Sequence, residues 1–176
     1  PGDAIFTDFA ARFIPGKDWP GLSDELAETG DTATLGSVGQ ATPQGELEPL
    51  LPRVNAHFGG EGLIDILNSL KAEDSDFADA TLKTLTRNSP LSMACPVEIV
   101  HRLRGTADIR KALELEYRCT HRSMENGDFL EGIRAAVIDK DRTPRWQHDF
   151  DDPPMQAATQ MLMPLGQDKL TFEKEG

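Results

Sequence analysis

Apolar residues recur every three or four positions along most of the chain, the spacing that places them on one face of a helix. No stretch alternates apolar and polar residues in the way that predicts a strand. Pro15-Gly16 and Gly59-Gly60 interrupt the helical pattern with residues typical of turns. The pattern therefore predicts a mainly α chain, with helices starting at Ser89 and Asp128 and others over residues 3–14, 17–28, 46–58, 61–71, 75–87, 107–126 and 154–163.

Capping residues define several of these helix ends. Ser75 and Ser89 are predicted to accept hydrogen bonds at helix starts, and Pro90 suits the first helical position. Pro96, inside the same helix, is expected to kink it. Asn126-Gly127 is predicted to end the longest helix in left-handed backbone conformations.

Two of the predicted helices carry a continuous apolar stripe, which we expect to face a core. The first stripe lies within residues 46–58 and comprises Leu47, Leu50, Leu51, Val54 and Phe58. The second lies within residues 107–126 and comprises Ile109, Leu113, Tyr117, Thr120 and Met124.

Composition shifts divide the chain into four predicted regions. Helices occupy residues 1–28, and an exposed loop rich in Gly and Thr follows at 29–45. A helical domain is predicted over residues 46–146. Residues 147–176 form an acidic tail with one short helix.

Charge and apolar content exclude several kinds of partner. The net charge of −12 disfavours nucleic acid, and acidic residues separate Arg102, Arg104, Arg110 and Arg118, the arginines that could form a basic face. No apolar window reaches the length of a membrane span, and the acidic first 30 residues do not resemble a signal or transit peptide. Residues 101–145 are locally basic, with ten Lys and Arg against eight Asp and Glu. An anionic ligand is expected to bind there.

The sequence contains no recognisable metal site or catalytic nucleophile. Its histidines have neither the spacing nor the neighbouring carboxylates of metal ligands, and we expect them to be partly exposed structural residues: His57, His101, His121 and His148. The two cysteines lack a CxxC pairing and are expected to be free thiols, which is typical of a cytoplasmic protein. No serine lies in a Gly-x-Ser-x-Gly turn.

Residues 128–146 form the most informative stretch. Asp128 is predicted as a helix N-cap, with Glu131 as the reciprocal partner in a capping box. On a helix Phe129 and Lys140 share one face, together with Ile133, Ala136 and Val137. Such a face would suit a ligand with an apolar part and phosphates. Alternatively, the apolar residues are ordinary core and Lys140 stabilises the carboxyl end of the helix.

Several motifs, in order, resemble those of 3-hydroxyisobutyryl-CoA hydrolases, a branch of the enoyl-CoA hydratase/isomerase (crotonase) superfamily. They are Asn88-Ser-Pro-Leu-Ser92, Leu115-Glu-Tyr-Arg118, the junction from Met124 to Phe129, Glu131-Gly-Ile-Arg-Ala135, and Ile138-Asp-Lys-Asp141 followed by Pro144 and Trp146. The resemblance implies the C-terminal helical portion of a crotonase-type α/β fold. The βαβ spiral core that carries the oxyanion hole of that fold is missing from this chain, so no catalytic residue is carried over.

The same resemblance implies an enzyme that processes acyl-CoA thioesters without a metal. Coenzyme A would enter as part of the substrate and no cofactor is expected. Phe129 and Lys140 are the predicted substrate-binding residues, and the missing N-terminal catalytic portion and further copies of the chain are the expected partners. The expected location is the cytoplasm, or the mitochondrial matrix in a eukaryote. The alternative is a non-catalytic helical module that binds another protein.

Overall fold

The computed structural model describes residues 1–38 and 41–172, and every regular element in these ranges is a helix. The mainly α prediction is therefore confirmed. Residues 39–40 of the predicted loop and 173–176 of the predicted tail lie outside the described residues. The α-helices are α1 (Gly2–Phe6), α2 (Trp19–Thr29), α3 (Thr34–Ser37), α4 (Leu47–His57), α5 (Leu63–Lys71), α6 (Asp76–Leu85), α7 (Pro90–Leu103), α8 (Ile109–Asn126), α9 (Phe129–Ile133) and α10 (Met155–Met161).

Single turns of other helix types complete the list of elements. Gly16–Asp18 and Gly166–Asp168 are 3-10 turns, and Arg134–Ile138 is a π-helical turn that directly continues α9. Within the described residues, no helix combines the length and apolar content needed to cross a membrane. The chain divides into two compact units, Pro1–Ala56 and His57–Gly176.

The first unit is organised around Asp3. The carboxylate of Asp3 accepts a hydrogen bond from the backbone N–H of Leu47 at the start of α4 (2.8 Å). Gly2 lies so close to Gly45 that a Cβ on Gly2 would stand 2.4 Å from the Gly45 nitrogen, so neither backbone leaves room for a side chain. The helix predicted over 3–14 is wrong beyond Phe6. Thr7 bonds back to the carbonyl of Asp3, and Asp8 takes a left-handed φ of 60° that ends the helix.

The second unit contains the main hydrophobic core, to which four helices contribute. Its buried residues are Leu63, Ile66, Leu67 and Leu70 from α5, Ala78 and Leu85 from α6, Leu91, Ala94 and Cys95 from α7, and Ala158 and Met161 from α10. The predicted caps at Ser75 and Ser89 are confirmed, since each hydroxyl accepts a hydrogen bond from a backbone N–H three residues later. These local caps fix the residues at which α6 and α7 begin.

Three arginines tie the end of α10 to α7 and α8. Arg102 and Arg118 each donate to the carbonyl oxygen of Leu162, at 3.4 and 3.2 Å, and Arg122 donates to that of Met161 at 2.8 Å. Helix C-terminal carbonyls have no partner within their own helix, so cations stabilise them there. The arginine side chains of α8 thus hold the polypeptide after α10 against the second unit.

Both predicted core stripes are wrong, because their residues remain largely exposed. Leu47, Leu51 and Phe58 are exposed in and after α4. On α8, Ile109 is 71% exposed and Leu113 41%. The buried Leu115 lies two residues from Leu113, about 200° around the helix. The core therefore contacts the opposite side of α8, and the apolar stripe forms a surface that we call the α8 face: Ile109, Leu113, Tyr117, Thr120 and Met124.

Candidate functional site

Asp128 is a buried carboxylate that joins three segments of the second unit. It is 3% exposed, and the hydroxyl of Ser89 donates to its Oδ2 at 2.5 Å. The backbone N–H of Gln147 donates to its Oδ1 at 3.0 Å. Ser89 is also the N-cap of α7, where its Oγ accepts from the N–H of Ser92. Asp128 therefore links the start of α7, the start of α9 and the chain that follows Trp146.

The predicted capping box at Asp128 and Glu131 is wrong. No side-chain hydrogen bond caps α9, because both oxygens of Asp128 are used by Ser89 and Gln147. Glu131 instead accepts from the backbone N–H of Arg145 at 2.7 Å and from Arg134. Gly127 has an extended φ of −128°, so the predicted left-handed end of α8 is also wrong.

Arg134 organises the loop that follows the π-helical turn. Its guanidinium donates to Glu131 at 2.7 and 2.8 Å, to Asp139 at 2.6 Å and to Asp141 at 2.7 Å. It also donates to the carbonyl oxygen of Thr143 at 3.1 Å. These bonds use the planar, fixed donor geometry of one arginine to fold a charged segment back on itself.

Lys140 lies in this loop, outside the helix. The π-helical turn ends at Ile138, and Lys140 and Arg142 both have left-handed backbone conformations, with φ of 56° and 54°. A residue other than glycine pays a conformational cost there, so the surrounding contacts of Arg134 must hold the loop. The sequence-predicted face is therefore only partly correct, because the wider π turn and the early helix end remove Lys140 from it.

The contacts with Arg134 shift the titration of its partners. Hydrogen bonds from Arg134, and then the backbone bond from Arg145, lower the pKa of Glu131 from its ordinary 4.5 to about 2. The pKa of Asp141 is lowered as well, first by its hydrogen bond with Arg134 and then by that from the Thr143 backbone. The hydrogen bonds that Arg134 donates to Glu131, Asp141 and Asp139 raise its own pKa above the ordinary value. Glu131, Asp141 and Arg134 are thus ionised at neutral pH.

The loop returns Trp146 to the helix that precedes it. A Cβ on Gly132 would meet two ring carbons of Trp146 at 3.7 and 3.8 Å, so the indole lies directly over the α9 backbone. Together with the start of α7, this arrangement forms an open groove of about 380 Å³, which we call the Trp146 groove. It is lined by Arg87, Asn88, Ser89, Ser92, Asp128, Phe129, Gly132, Ile133, Ala136, Val137 and Trp146.

The Trp146 groove combines an apolar wall with a polar floor. Phe129, 51% exposed, and Val137 stand on the wall, and the hydrogen-bonded pair of Ser89 and Asp128 forms the floor. Four of the five residues of the predicted face meet here, and Lys140 does not line the groove. Phe129 and Val137 are exposed in this chain and lie outside the core cluster of the second unit. Sequence reasoning missed Ser89, Asp128, Arg134 and Trp146 as the residues that build the groove, although each lies in a motif carrying the family resemblance.

His57 is buried, and so differs from the predicted, partly exposed histidines. Its Nδ1 lies 2.9 Å from the Oγ of Ser69, and its Nε2 lies 2.5 Å from an oxygen of Glu73. The ring also stands 6.1 Å from that of Phe77. Both ring nitrogens therefore have partners, which allows a polar ring to be buried at this end of α4.

Acid titration should show that the Trp146 groove depends on the ionised carboxylate of Glu131. A carboxylate with a lowered folded-state pKa stabilises the fold fully above its ordinary pKa and loses that effect as pH falls toward the lowered value. Between pH 4.5 and about 2 the loop should detach, which would shift the emission of Trp146 to longer wavelength in a Trp19→Phe background. Glu131→Gln should show the detached emission at neutral pH already. A titration curve identical in wild type and Glu131→Gln would contradict this prediction.

A family model, curated proteins and a solved structure all indicate the same family for this chain. The family model described as enoyl-CoA hydratase/isomerase matches residues 1–160. The mitochondrial 3-hydroxyisobutyryl-CoA hydrolase of Dictyostelium discoideum is 37% identical over 146 residues, which cover 78% of this chain and 38% of that protein. The small ribosomal subunit protein mS47 of Schizosaccharomyces pombe is 28% identical over 168 residues, covering 84% of this chain and 38% of that protein.

A solved structure indicates the same family. An enoyl-CoA hydratase from Rhodobacter sphaeroides superposes with a TM-score of 0.86 and 47% identity, over 98% of this chain and 50% of that one. The chain thus spans about half the length of this solved relative, and a smaller share of the curated proteins it matches.

Proposed function

Because the chain belongs to the enoyl-CoA hydratase/isomerase family, we propose that it is the helical portion of an enzyme that hydrolyses or hydrates an acyl-CoA thioester. A 3-hydroxyisobutyryl-CoA hydrolase and an enoyl-CoA hydratase are the two candidate activities, in line with the names of the relatives. In this proposal the chain covers the acyl and CoA pocket of a βαβ spiral core. That core provides the oxyanion hole and the acid and base groups.

The observation that carries the proposal is the composition of the Trp146 groove. An open, apolar wall beside a few fixed polar groups is typical of sites for small ligands. Phe129 and Trp146 offer ring surfaces for the apolar part of an acyl-CoA. Residues from several of the motifs that resemble those of the hydrolases line this one groove, among them Ser89, Phe129 and Trp146, which is why we assign substrate contact to it.

Lys140 is proposed to contact the phosphates of CoA from the adjacent loop. Two acidic neighbours, Asp139 and Asp141, would cancel its charge if they were unpaired, but both form ion pairs with Arg134. Residues 131–145 carry four cations against three anions, a net charge of +1. The exposed Lys140 and Arg142 therefore stand beside carboxylates that Arg134 neutralises in part, and the net charge of +1 over the segment favours the approach of a phosphate.

Substitution of the two proposed contact residues should weaken substrate binding selectively. In an active complex of this chain with a catalytic core, Phe129→Ala should raise KM about tenfold, by loss of ring packing worth roughly 1–2 kcal/mol. Lys140→Ala should raise KM severalfold, and less at high salt, because screening already weakens an exposed charge contact.

Trp19→Phe is the matched control for Phe129→Ala, since Trp19 is an exposed aromatic residue of the first unit. It should leave KM unchanged. Steady-state kinetics with 3-hydroxyisobutyryl-CoA and with an enoyl-CoA provide the measurement. Unchanged KM for both Phe129→Ala and Lys140→Ala would contradict the assignment of these residues.

The remaining expectations belong to the same proposal. The chain alone should be inactive, the complete enzyme should form homo-oligomers, and the enzyme should act in the cytoplasm, or in the mitochondrial matrix of a eukaryote. The α8 face is proposed to dock on the catalytic core. Its apolar side chains form a continuous exposed surface, and contiguous exposed apolar surface is typical of a contact site.

The exposed α8 face also favours a second candidate, a non-catalytic module that binds another protein. The ribosomal subunit protein mS47, which matches 84% of this chain, is a relative named for an assembly. Light scattering combined with thermal melting distinguishes the two candidates. An autonomous module should be monomeric with a cooperative transition, whereas a portion that needs its core should self-associate through the α8 face.

A further inference from the structure

The second unit brings its two cysteines together between α7 and α8. Cys95 belongs to the buried core cluster and is 1% exposed. Cys119, half-buried on α8, packs against that same cluster. Both are free thiols. They come from helices that pack directly on each other, and Cys119 packs against the cluster to which Cys95 belongs.

The two thiols differ in accessibility and in acidity. A hydrogen bond between them lowers the pKa of Cys119 from its ordinary 9.0 to about 7. The same hydrogen bond, burial, and the nearby charges of Cys119 and Glu98 raise the pKa of Cys95 above its ordinary value. The more accessible sulfur thus carries the thiolate, and the buried sulfur keeps its proton. Reactive cysteines in proteins show this combination of exposure and lowered pKa.

We propose that Cys95 and Cys119 form a dithiol site that a low-molecular-weight disulfide oxidises to an intramolecular disulfide joining α7 to α8. Cys119 is the attacking residue and Cys95 the resolving residue. The site is separate from the Trp146 groove and does not depend on the proposed function.

The reaction is an ordinary thiol–disulfide exchange in two steps. The Cys119 thiolate attacks one sulfur of glutathione disulfide, which forms a mixed disulfide and releases one glutathione thiolate. Cys95 then gives its proton to solvent or to that thiolate and attacks the Cys119 sulfur, which releases the second glutathione. The two cysteines lose two electrons in total, and glutathione disulfide gains them. The first step removes the negative charge of Cys119 that disfavours a thiolate at Cys95.

The cross-link would restrain the two helices that build the floor of the Trp146 groove. Ser89 precedes α7 and Asp128 follows α8, and their hydrogen bond already joins the ends of these helices. A disulfide between Cys95 and Cys119 also reduces the conformational entropy of the unfolded chain. The melting temperature should therefore rise by about 5–10 °C on oxidation.

Oxidation of the folded chain by excess glutathione disulfide tests the proposal. We expect a protein two hydrogens lighter, with no thiol left to react with N-ethylmaleimide after unfolding, and a peptide map that joins Cys95 to Cys119. Cys95→Ala should stop at glutathione linked to Cys119. Cys119→Ala should stay unmodified while folded, because Cys95 is buried.

Three outcomes would overturn the proposal. They are folded wild type that keeps both thiols while the unfolded chain reacts, a mixed disulfide on Cys119 that never closes, and disulfide-linked dimers in place of the internal bond. The map and the mass of wild type decide between these results even if a variant fails to fold.

Discussion

Asp128→Ala should lower the free energy of unfolding by about 3 kcal/mol and open the Trp146 groove. The carboxylate of Asp128 is almost fully buried and accepts hydrogen bonds from the Ser89 hydroxyl and the Gln147 N–H. Without it, the buried Ser89 hydroxyl and the N–H of Gln147 lose their acceptor. An unsatisfied buried donor costs more than the net value of the bond it formed. The chain after Trp146 would then lose its anchor to α7.

Asp128→Asn and Asp152→Ala provide the controls, measured by urea unfolding. An asparagine keeps the volume and can accept from Gln147 while donating to Ser89. The free energy of unfolding of Asp128→Asn should therefore fall by only about 1 kcal/mol. Asp152 is an exposed carboxylate, and its removal should have little effect. Equal stability of Asp128→Ala and Asp152→Ala would show that Asp128 does not hold the groove together.

Leu113→Glu should weaken binding of the chain to a catalytic core about 100-fold or more, with little change in the stability of the chain alone. Leu113 stands at the centre of the α8 face and is already 41% exposed, so a glutamate there remains solvated in the free chain. In the docked state the carboxylate would be buried without a partner, which costs several kcal/mol. This difference separates a docking surface from a folding core.

The half of the Rhodobacter sphaeroides protein that this chain does not match can serve as the core in that experiment. Association is measured by sedimentation, and melting of the free chain gives its stability. Glu125→Lys is the control, an exposed change on the same helix away from the α8 face, and should leave association intact. Unchanged affinity of Leu113→Glu, or its failure to fold, would contradict the docking role of the α8 face.

Features encoded by neighbouring residues could be predicted from the sequence. The starts of α6 and α7 follow from Ser75 and Ser89, because a cap needs only a side chain and the backbone three residues away. Asp128 has the same local signature, but its side chain does not cap α9. There the Ser89 hydroxyl and the Gln147 N–H, both distant in sequence, take up the carboxylate. The local sequence cannot show that such distant donors, and not the backbone of α9, bind the carboxylate.

Features that depend on what covers a surface could not be predicted. The stripe on α8 is apolar and regular, but the same pattern describes a face buried in the chain and one left for a partner. A regular helix would place Lys140 on one face with Phe129. The π-helical turn and the left-handed loop after Ile138, held by Arg134, move it away. The motifs indicate where the candidate site lies, whereas the contacts of each residue could only be read from the structure.

Turnover by the recombined halves tests the central claim most directly. The chain and the unmatched half of the Rhodobacter sphaeroides protein would be assayed alone and mixed, with 3-hydroxyisobutyryl-CoA and an enoyl-CoA as substrates. We predict no activity from this chain alone and turnover of one of the two thioesters by the mixture, lost again with Leu113→Glu. Thioester turnover by this chain alone, or a stable complex of the two halves without activity on either substrate, would contradict the account.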